Sequence, residues 1–190
     1  MQQYLDYRLY NGSTLHGLIL YSIMIEQLVT PRLTMQILDD KDAAFIRNLV
    51  NTEGWIKFIG DRKIHSDDEA INYIHRIKNT PDFTYWVVRL RETMVPIGII
   101  SFLKRIYLDH FDIGFAFLPE FNGQGYAYEA ALEVMTKLRK QRGHTTILAT
   151  TISANASSIK LLGKLGFHFE KEIQLENEKI DVYINEELQN

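Results

Sequence analysis

Apolar residues recur along this chain in two rhythms, every second position and every third or fourth, and the switches between them mark out the elements. From Leu33 the alternation Leu33, Met35, Ile37 predicts a strand over 33–38, followed by Asp39 and Asp40 as cap candidates for a helix over 42–50. A short helix over 54–59 follows. Ser66 with Glu69 three residues later is a capping box that opens a helix over 67–78, whose Ala70, Ile71, Ile74 and Ile77 share one face. Runs at 84–90 and 96–103, separated by polar residues 91–93, predict an antiparallel hairpin, and 112–118 adds a third antiparallel strand. Ala127, Ala130, Ala131, Val134, Met135 and Leu138 repeat at helical spacing and predict the clearest helix, over 126–140. Gly143 ends it, and 145–151 reads as a strand. A last helix starts at Asn155, a good N-cap, and stops at Gly166 as a C-terminal glycine would. Strands over 167–173 and 180–184 close the chain around an acidic turn.

No repeat or interior linker interrupts this series, and 190 residues suit one core rather than two. Residues 24–190 are therefore expected to form one domain. Residues 1–23 carry no strand or helix period: they read either as sequence upstream of a true start at Met24, or as an arm packing on the domain or a partner subunit.

Charge and cysteine content narrow the chemistry. A formal charge of -3 supplies no global field for nucleic acid, which is not an expected partner. With no cysteine, disulfides, thiolate metal sites and a cysteine nucleophile are excluded, which fits the expected location in a reducing cytoplasm. The apolar stretch 15–24 is interrupted by His16, Gly17 and Ser22 and falls short of the roughly 20 residues a bilayer needs, so no membrane association is expected. The six histidines are scattered without one-turn pairing, and no metal is implied.

The segment Phe117-Leu118-Pro119-Glu120-Phe121-Asn122-Gly123-Gln124-Gly125-Tyr126-Ala127 runs from a strand into an amphipathic helix with two glycines at the junction. Glycine there permits backbone angles closed to other residues, and the free N–H groups of a first helical turn suit a pyrophosphate. A dinucleotide fingerprint would need a third glycine, and a P-loop a Gly-Lys-Ser/Thr run; neither is present. Taken alone, the segment is equally a tight turn without a ligand.

The loop resembles the acyl-CoA pyrophosphate motif of GNAT superfamily N-acetyltransferases, Gln/Arg-x-x-Gly-x-Gly/Ala, standing here as Asn122-Gly123-Gln124-Gly125-Tyr126-Ala127 with Asn122 departing at the first position. Thr30-Pro31-Arg32-Leu33, Gly60-Asp61-Arg62, Pro96-Ile97-Gly98, Asp112-Ile113-Gly114-Phe115 and the stretch from Asn155 to Phe167 are similar to a branch of the same superfamily, the ribosomal-protein N-terminal acetyltransferase-like (RimJ/RimL-type) branch. The resemblance covers about residues 26–184 in order. It implies an α/β (α+β) fold: a single GNAT-like domain with a mixed, mostly antiparallel central sheet flanked by helices, and a splayed strand pair forming the acyl-CoA cleft.

By the same resemblance, residues 115–118, with Phe117 and Leu118, would face the pantetheine arm of acetyl-CoA. Gly123, Gln124, Gly125, Tyr126 and Ala127 would supply the pyrophosphate amides, and Asn155 and Ser158 would stand near the thioester. An amine attacks a thioester only when neutral, so a proton acceptor is needed; Asp112 and Glu129 are the carboxylates nearest the cleft in sequence, and Asp112 is the one expected. Glu129, in a first helical turn, also answers to the helix dipole. Many superfamily members place a tyrosine proton donor where this chain has Leu162; Ser158 is the expected substitute, though a first-turn hydroxyl also helps cap the helix. Three functions stay open: acetylation of a protein N-terminus or other peptide amine, acetylation of a small amine, and a CoA-binding regulatory module without turnover. For a cationic small amine, Glu120, Asp109 and Asp112 would contribute to an acidic acceptor pocket. Homodimers are common in the resembling branch, but no residue here specifies an interface.

Overall fold

The first strand lies upstream of where the alternation begins. In the computed structural model, which describes residues 27–175 and 178–187, β1 (Gln27–Val29) turns back at Thr30 to Arg32 and pairs antiparallel with β2 (Leu33–Ile37). Three residues are too few for a period of two to register in the sequence. The expected extension at 1–23 lies outside the described residues.

Side-chain caps then set the helices. After β2 the chain makes a 3-10 turn (Asp40–Asp42) capped by Asp39 before α1 (Ala43–Val50) begins, one residue later than the predicted start. The Thr52 hydroxyl caps α2 (Glu53–Phe58). Before α3 (Asp67–Asn79), Ser66 Oγ accepts the Glu69 N–H at 3.2 Å while the Glu69 carboxylate accepts the Ser66 N–H at 3.1 Å, the reciprocal box the sequence announces.

The predicted antiparallel series follows as β3 (Phe83–Leu90), β4 (Pro96–Leu103) and β5 (Asp112–Phe117). Then come α4 (Tyr126–Arg142), β6 (Thr146–Thr151), α5 (Ala156–Lys164), β7 (His168–Leu175) and β8 (Glu178–Glu186). The last two strands outrun their predicted bounds because β7 is a largely exposed edge strand, whose polar positions carry no hydrophobic signal. The sheet order is β1-β2-β3-β4-β5-β6-β8-β7, antiparallel throughout except between β5 and β6.

Both faces of the sheet are covered. Neighbouring strand residues point to opposite sides, so Trp86 packs with Ile100, Val134 and Leu162 beneath α4 and α5, while Val87 packs with Ile99, Ile46, Leu49 and Ile74 beneath α1 and α3. Among the described residues, no helix is long and apolar enough to cross a membrane.

One ion pair ties the helical layer to the sheet. Asp42, 3% exposed, accepts a hydrogen bond from the guanidinium of Arg89 on β3, itself 6% exposed. Removing one member of such a pair strands a buried charge, at a cost of about 3–5 kcal/mol. Asp42→Ala should therefore lower the urea unfolding midpoint strongly, and the double substitution Asp42→Leu/Arg89→Met should recover most of the loss. A midpoint unchanged in the single variant would mean that Arg89 finds water.

Candidate active site

β5 and β6 meet at a single register pair, Asp112 opposite Leu148, with the Leu148 N–H bonded to Phe111 O at 2.9 Å. Burial follows the divergence: Asp112 and Ile113 are buried and Gly114 to Phe117 half-buried, while on β6 Leu148 and Ala149 are buried and Thr150 and Thr151 half-buried. The Leu118 N–H bonds Ile97 O at 2.9 Å, so even-numbered residues of β5 bond β4. By the two-residue alternation, the backbone N–H and C=O of Phe115 and Phe117 face the wedge between β5 and β6. The Phe117 ring is folded back over β4, where a Cβ on Gly98 would stand 2.4 Å from it. A cavity of about 830 Å³ runs through the wedge and is lined from both faces of the sheet.

Beyond β5 the chain makes a 3-10 turn (Pro119–Phe121) and reaches the glycine loop. Gly123 (φ 76°) and Gly125 (φ 82°) both occupy the left-handed region, which a side chain would strain. Gly125 is the N-cap of α4, and it offers no side chain to its helix. The first helical bond, Glu129 N–H to Gly125 O at 3.0 Å, leaves the amides of Tyr126, Ala127 and Tyr128 without intrahelical partners. A bare glycine cradle at the positive end of a 17-residue helix fits an anionic diphosphate.

The turn between β1 and β2 holds this loop. Arg32 donates from Nη1 to Gln124 O at 3.0 Å and from Nε to Glu129 at 2.6 Å, and its guanidinium lies 4.6 Å from the centre of the Tyr126 ring. In a trans peptide, C=O and N–H point in opposite directions. Drawing the Gln124 carbonyl to Arg32 therefore turns the Gly125 N–H away from Arg32. Glu129 also accepts the Thr30 hydroxyl at 2.6 Å and the Arg32 N–H at 3.1 Å. Burial pushes its carboxyl up, and these bonds more than offset that, holding it below the usual range.

At the start of α5, Asn155 Oδ1 accepts the Ser158 N–H at 3.2 Å and the Ser157 hydroxyl at 2.9 Å, so the side chain caps the helix and its amide nitrogen remains to donate. Ser158 is half-buried on the cavity wall. Leu162, one turn on, is 1% exposed and packed in the core.

On the face covered by α1 to α3, Asp112 is 1% exposed and accepts the Arg105 Nε–H at 2.9 and 3.0 Å, with the Thr150 hydroxyl 3.5 Å away. Burial pushes the Asp112 carboxyl above its usual value, with Arg105 acting against it. Burial likewise opposes the Arg105 charge, and Asp112 overrides it. Tyr85 stands opposite Ser101, which stands opposite Gly114, a row across three strands. Burial drives the Tyr85 and Tyr107 hydroxyls upward, so both stay protonated donors.

Asp112, Ser158, Phe117, Gly123, Gly125, Tyr126, Ala127 and Asn155 thus share one cavity wall. Leu118 and Gln124 stand off it: the Leu118 side chain packs in the core beneath α1 to α3, and Gln124 is taken up by bonds to Glu120 O and Arg32. Glu120 and Asp109 also lie outside the wall, and Asp109 pairs with Lys171 at 3.7 Å, so no acidic acceptor pocket forms from them. Arg105 and Tyr107 escape sequence reasoning, because they lie in an ordinary loop and only the folded sheet brings them to the cavity; Arg32 and Arg62 stand in segments that carry the resemblance, but their contacts are not readable from it.

The chain matches the acetyltransferase (GNAT) domain family over residues 32–168. It is 26% identical over 160 residues to the uncharacterized N-acetyltransferase YnaD of Bacillus subtilis, covering 82% of this chain and 93% of that protein. Among solved structures, a GNAT family acetyltransferase from Bacillus anthracis superposes with a TM-score of 0.71 at 22% identity, covering 84% of this chain and 98% of that one. RimL, a ribosomal L7/L12 alpha-N-protein acetyltransferase in complex with coenzyme A, superposes with a TM-score of 0.73 at 14% identity, covering 84% and 96%.

Glu129 carries a pH signature. Its depressed folded-state pKa stabilises the fold fully above the usual value of 4.5, and this contribution is lost as pH falls through the folded value. The urea midpoint of Glu129→Gln should lie below that of the parent at pH 7, and the gap should close as the pH is lowered below the usual carboxylate value and through the depressed folded one. A gap constant with pH would mean that the carboxylate charge does not hold the loop.

Proposed function

This chain belongs to the GNAT acetyltransferase family and is an acetyl-CoA-dependent acyltransferase; from that premise we propose that it acetylates a primary amine, foremost the N-terminal amine of a peptide. The observation that carries this reading is the single cavity that joins the glycine loop on one side of the sheet to Asp112 on the other through the open wedge. The peptide acceptor is supported by the name of one structural neighbour, an alpha-N-protein acetyltransferase. When bound, acetyl-CoA supplies an activated acetyl thioester.

Each side of the site has its task. The amides of residues 125–127 cradle the diphosphate, with Arg32 holding the loop that presents them. The Phe115 and Phe117 backbone groups, left unpaired by the splay, bind the pantetheine arm as a further strand would. The Phe115 N–H serves as a donor to negative charge on the carbonyl oxygen under attack, in a site shielded from water.

Asp112 removes the proton from the acceptor ammonium, directly or through a water. Burial raises the proton affinity of this carboxylate, which suits it to a base near neutral pH, and Arg105 holds its orientation. Ser158 returns a proton to the departing thiolate in place of the tyrosine that Leu162 displaces. The buried Leu162 is also what favours the competing reading, a CoA-binding module without turnover.

Titration calorimetry with acetyl-CoA should show micromolar binding that Gly125→Glu abolishes, since any side chain there is strained and its Cβ would stand 3.4 Å from the Arg32 guanidinium that holds the loop, adding a negative charge beside the diphosphate site. A folded protein that does not bind overturns the acyltransferase reading. Asp112→Asn should lower kcat by about 100-fold or more, leave acetyl-CoA affinity within about twofold of the parent, and flatten the rise of rate with pH. A pH profile identical to the parent's would remove Asp112 from the base role. Acetyl-CoA binding without thiol release for either peptides or small amines would favour the module.

A further inference from the structure

The acceptor end of the cavity is basic. On the face covered by α1 to α3 its wall carries three cations, Arg62, Arg76 and Arg105, against two acids, Asp112 and Glu178 of β8. Arg105 and Asp112 neutralise each other at 2.9 Å. Among the described residues, Arg62 and Arg76 join no ion pair, and with Glu178 set against them this face of the wall keeps one positive charge in excess.

Arg62 is presented by a defined turn. Gly60 (φ 107°) and Lys63 (φ 52°) flank it in the left-handed region, and the Asp61 carboxylate accepts the Lys63 N–H at 2.8 Å. Asp61 is thereby turned to its own backbone and stands off the cavity wall. Arg62 is half-buried, and it lies near enough to the Tyr85 hydroxyl, together with Arg105 and Asp112, to act on it electrostatically. Arg76 lies over the Tyr73 ring at 5.7 Å, on the α3 side of the same opening. A half-buried guanidinium that joins no ion pair among the described residues, near a phenol that stays protonated, is a ready site for a carboxylate. A polycationic amine would meet repulsion at the same place.

We propose that the acceptor is a primary amine that also carries a carboxylate, gripped by Arg62 with Arg76 beside it while the amine is directed to Asp112. The inference rests on the acyltransferase reading above and narrows it. The shared chemistry occurs in a free acidic amino acid and in a peptide whose acidic residue stands next to its N-terminus.

The test compares acceptors that differ only in that charge. Thiol release from acetyl-CoA is followed with Ser-Glu-Ala-Ala against Ser-Gln-Ala-Ala, with aspartate against asparagine, and with spermidine. The acid of a pair should exceed its amide by about tenfold or more in kcat/KM, spermidine should be the poorest acceptor, and the pair that responds identifies peptide or amino acid. Arg62→Gln, and separately Arg76→Gln, should reduce the acid-over-amide ratio toward one while acetyl-CoA affinity and the thermal midpoint stay at parental values. Calorimetry of the same pairs on the CoA-loaded protein reads the preference as binding even where turnover is slow. Equal affinity and rate for acid and amide, or a preference for spermidine, overturns the inference and leaves the acyltransferase intact. A ratio that survives both substitutions overturns it as well. Failure of acetyl-CoA itself to bind is the separate outcome that removes the reading beneath it.

Discussion

Parallel pairing between β5 and β6 lasts for one register pair, and the site depends on its ending there. A buried backbone N–H or C=O without a partner is costly, so a sheet does not open in its middle unless something completes it. Here the open edge of Phe115 and Phe117 meets a cavity that reaches both faces. The same divergence that interrupts the sheet provides the channel across it and the donors along its wall. It also separates two groups: the glycine loop lies where β5 runs into α4, and Asp112 lies on the opposite face at the closed end of the wedge.

Two ion pairs of different character frame that opening. In the Arg105–Asp112 pair the carboxylate is buried and the guanidinium half-buried, and burial and pairing pull the Asp112 proton affinity in opposite directions, burial prevailing. Arg32 with Glu129 is more exposed, with Arg32 side-chain exposure at 48%, and by itself would contribute little to stability. Its value lies in geometry: one guanidinium holds a loop carbonyl, a helix carboxylate and an aromatic face together. The turn between the first two strands thus reaches across nearly a hundred residues to set the direction of a single amide.

Much of this architecture was legible in the residues because local rules govern it. The Ser66 and Glu69 box, the alanine face of α4, the cap at Asn155 and the glycines at 123 and 125 are each decided by a few neighbouring positions, and the structure has them where the periodicity puts them. β1 and the outer ends of β7 and β8 were missed for the converse reason, since a three-residue strand and a solvated edge strand leave no hydrophobic pattern. Two of the acids named for an acceptor pocket were misplaced for a similar reason: Glu120 and Asp109 are near the site in the chain but outside the cavity wall, while Asp112 lies on it and Arg62 and Arg76 come to it from a separate layer.

The sequence by itself determined the order of elements, the strand-to-helix glycine loop and the family resemblance, all of which follow from spacings within a turn or a strand. Only the tertiary structure decided which charges face one another: that Arg105 closes on Asp112, that Glu129 is taken by Thr30 and Arg32, and that Arg62 lines the same cavity as Asp112. Electrostatic partnership depends on distance through space and on how much water is excluded. Neither is encoded by separation along the chain until the sheet order has been set.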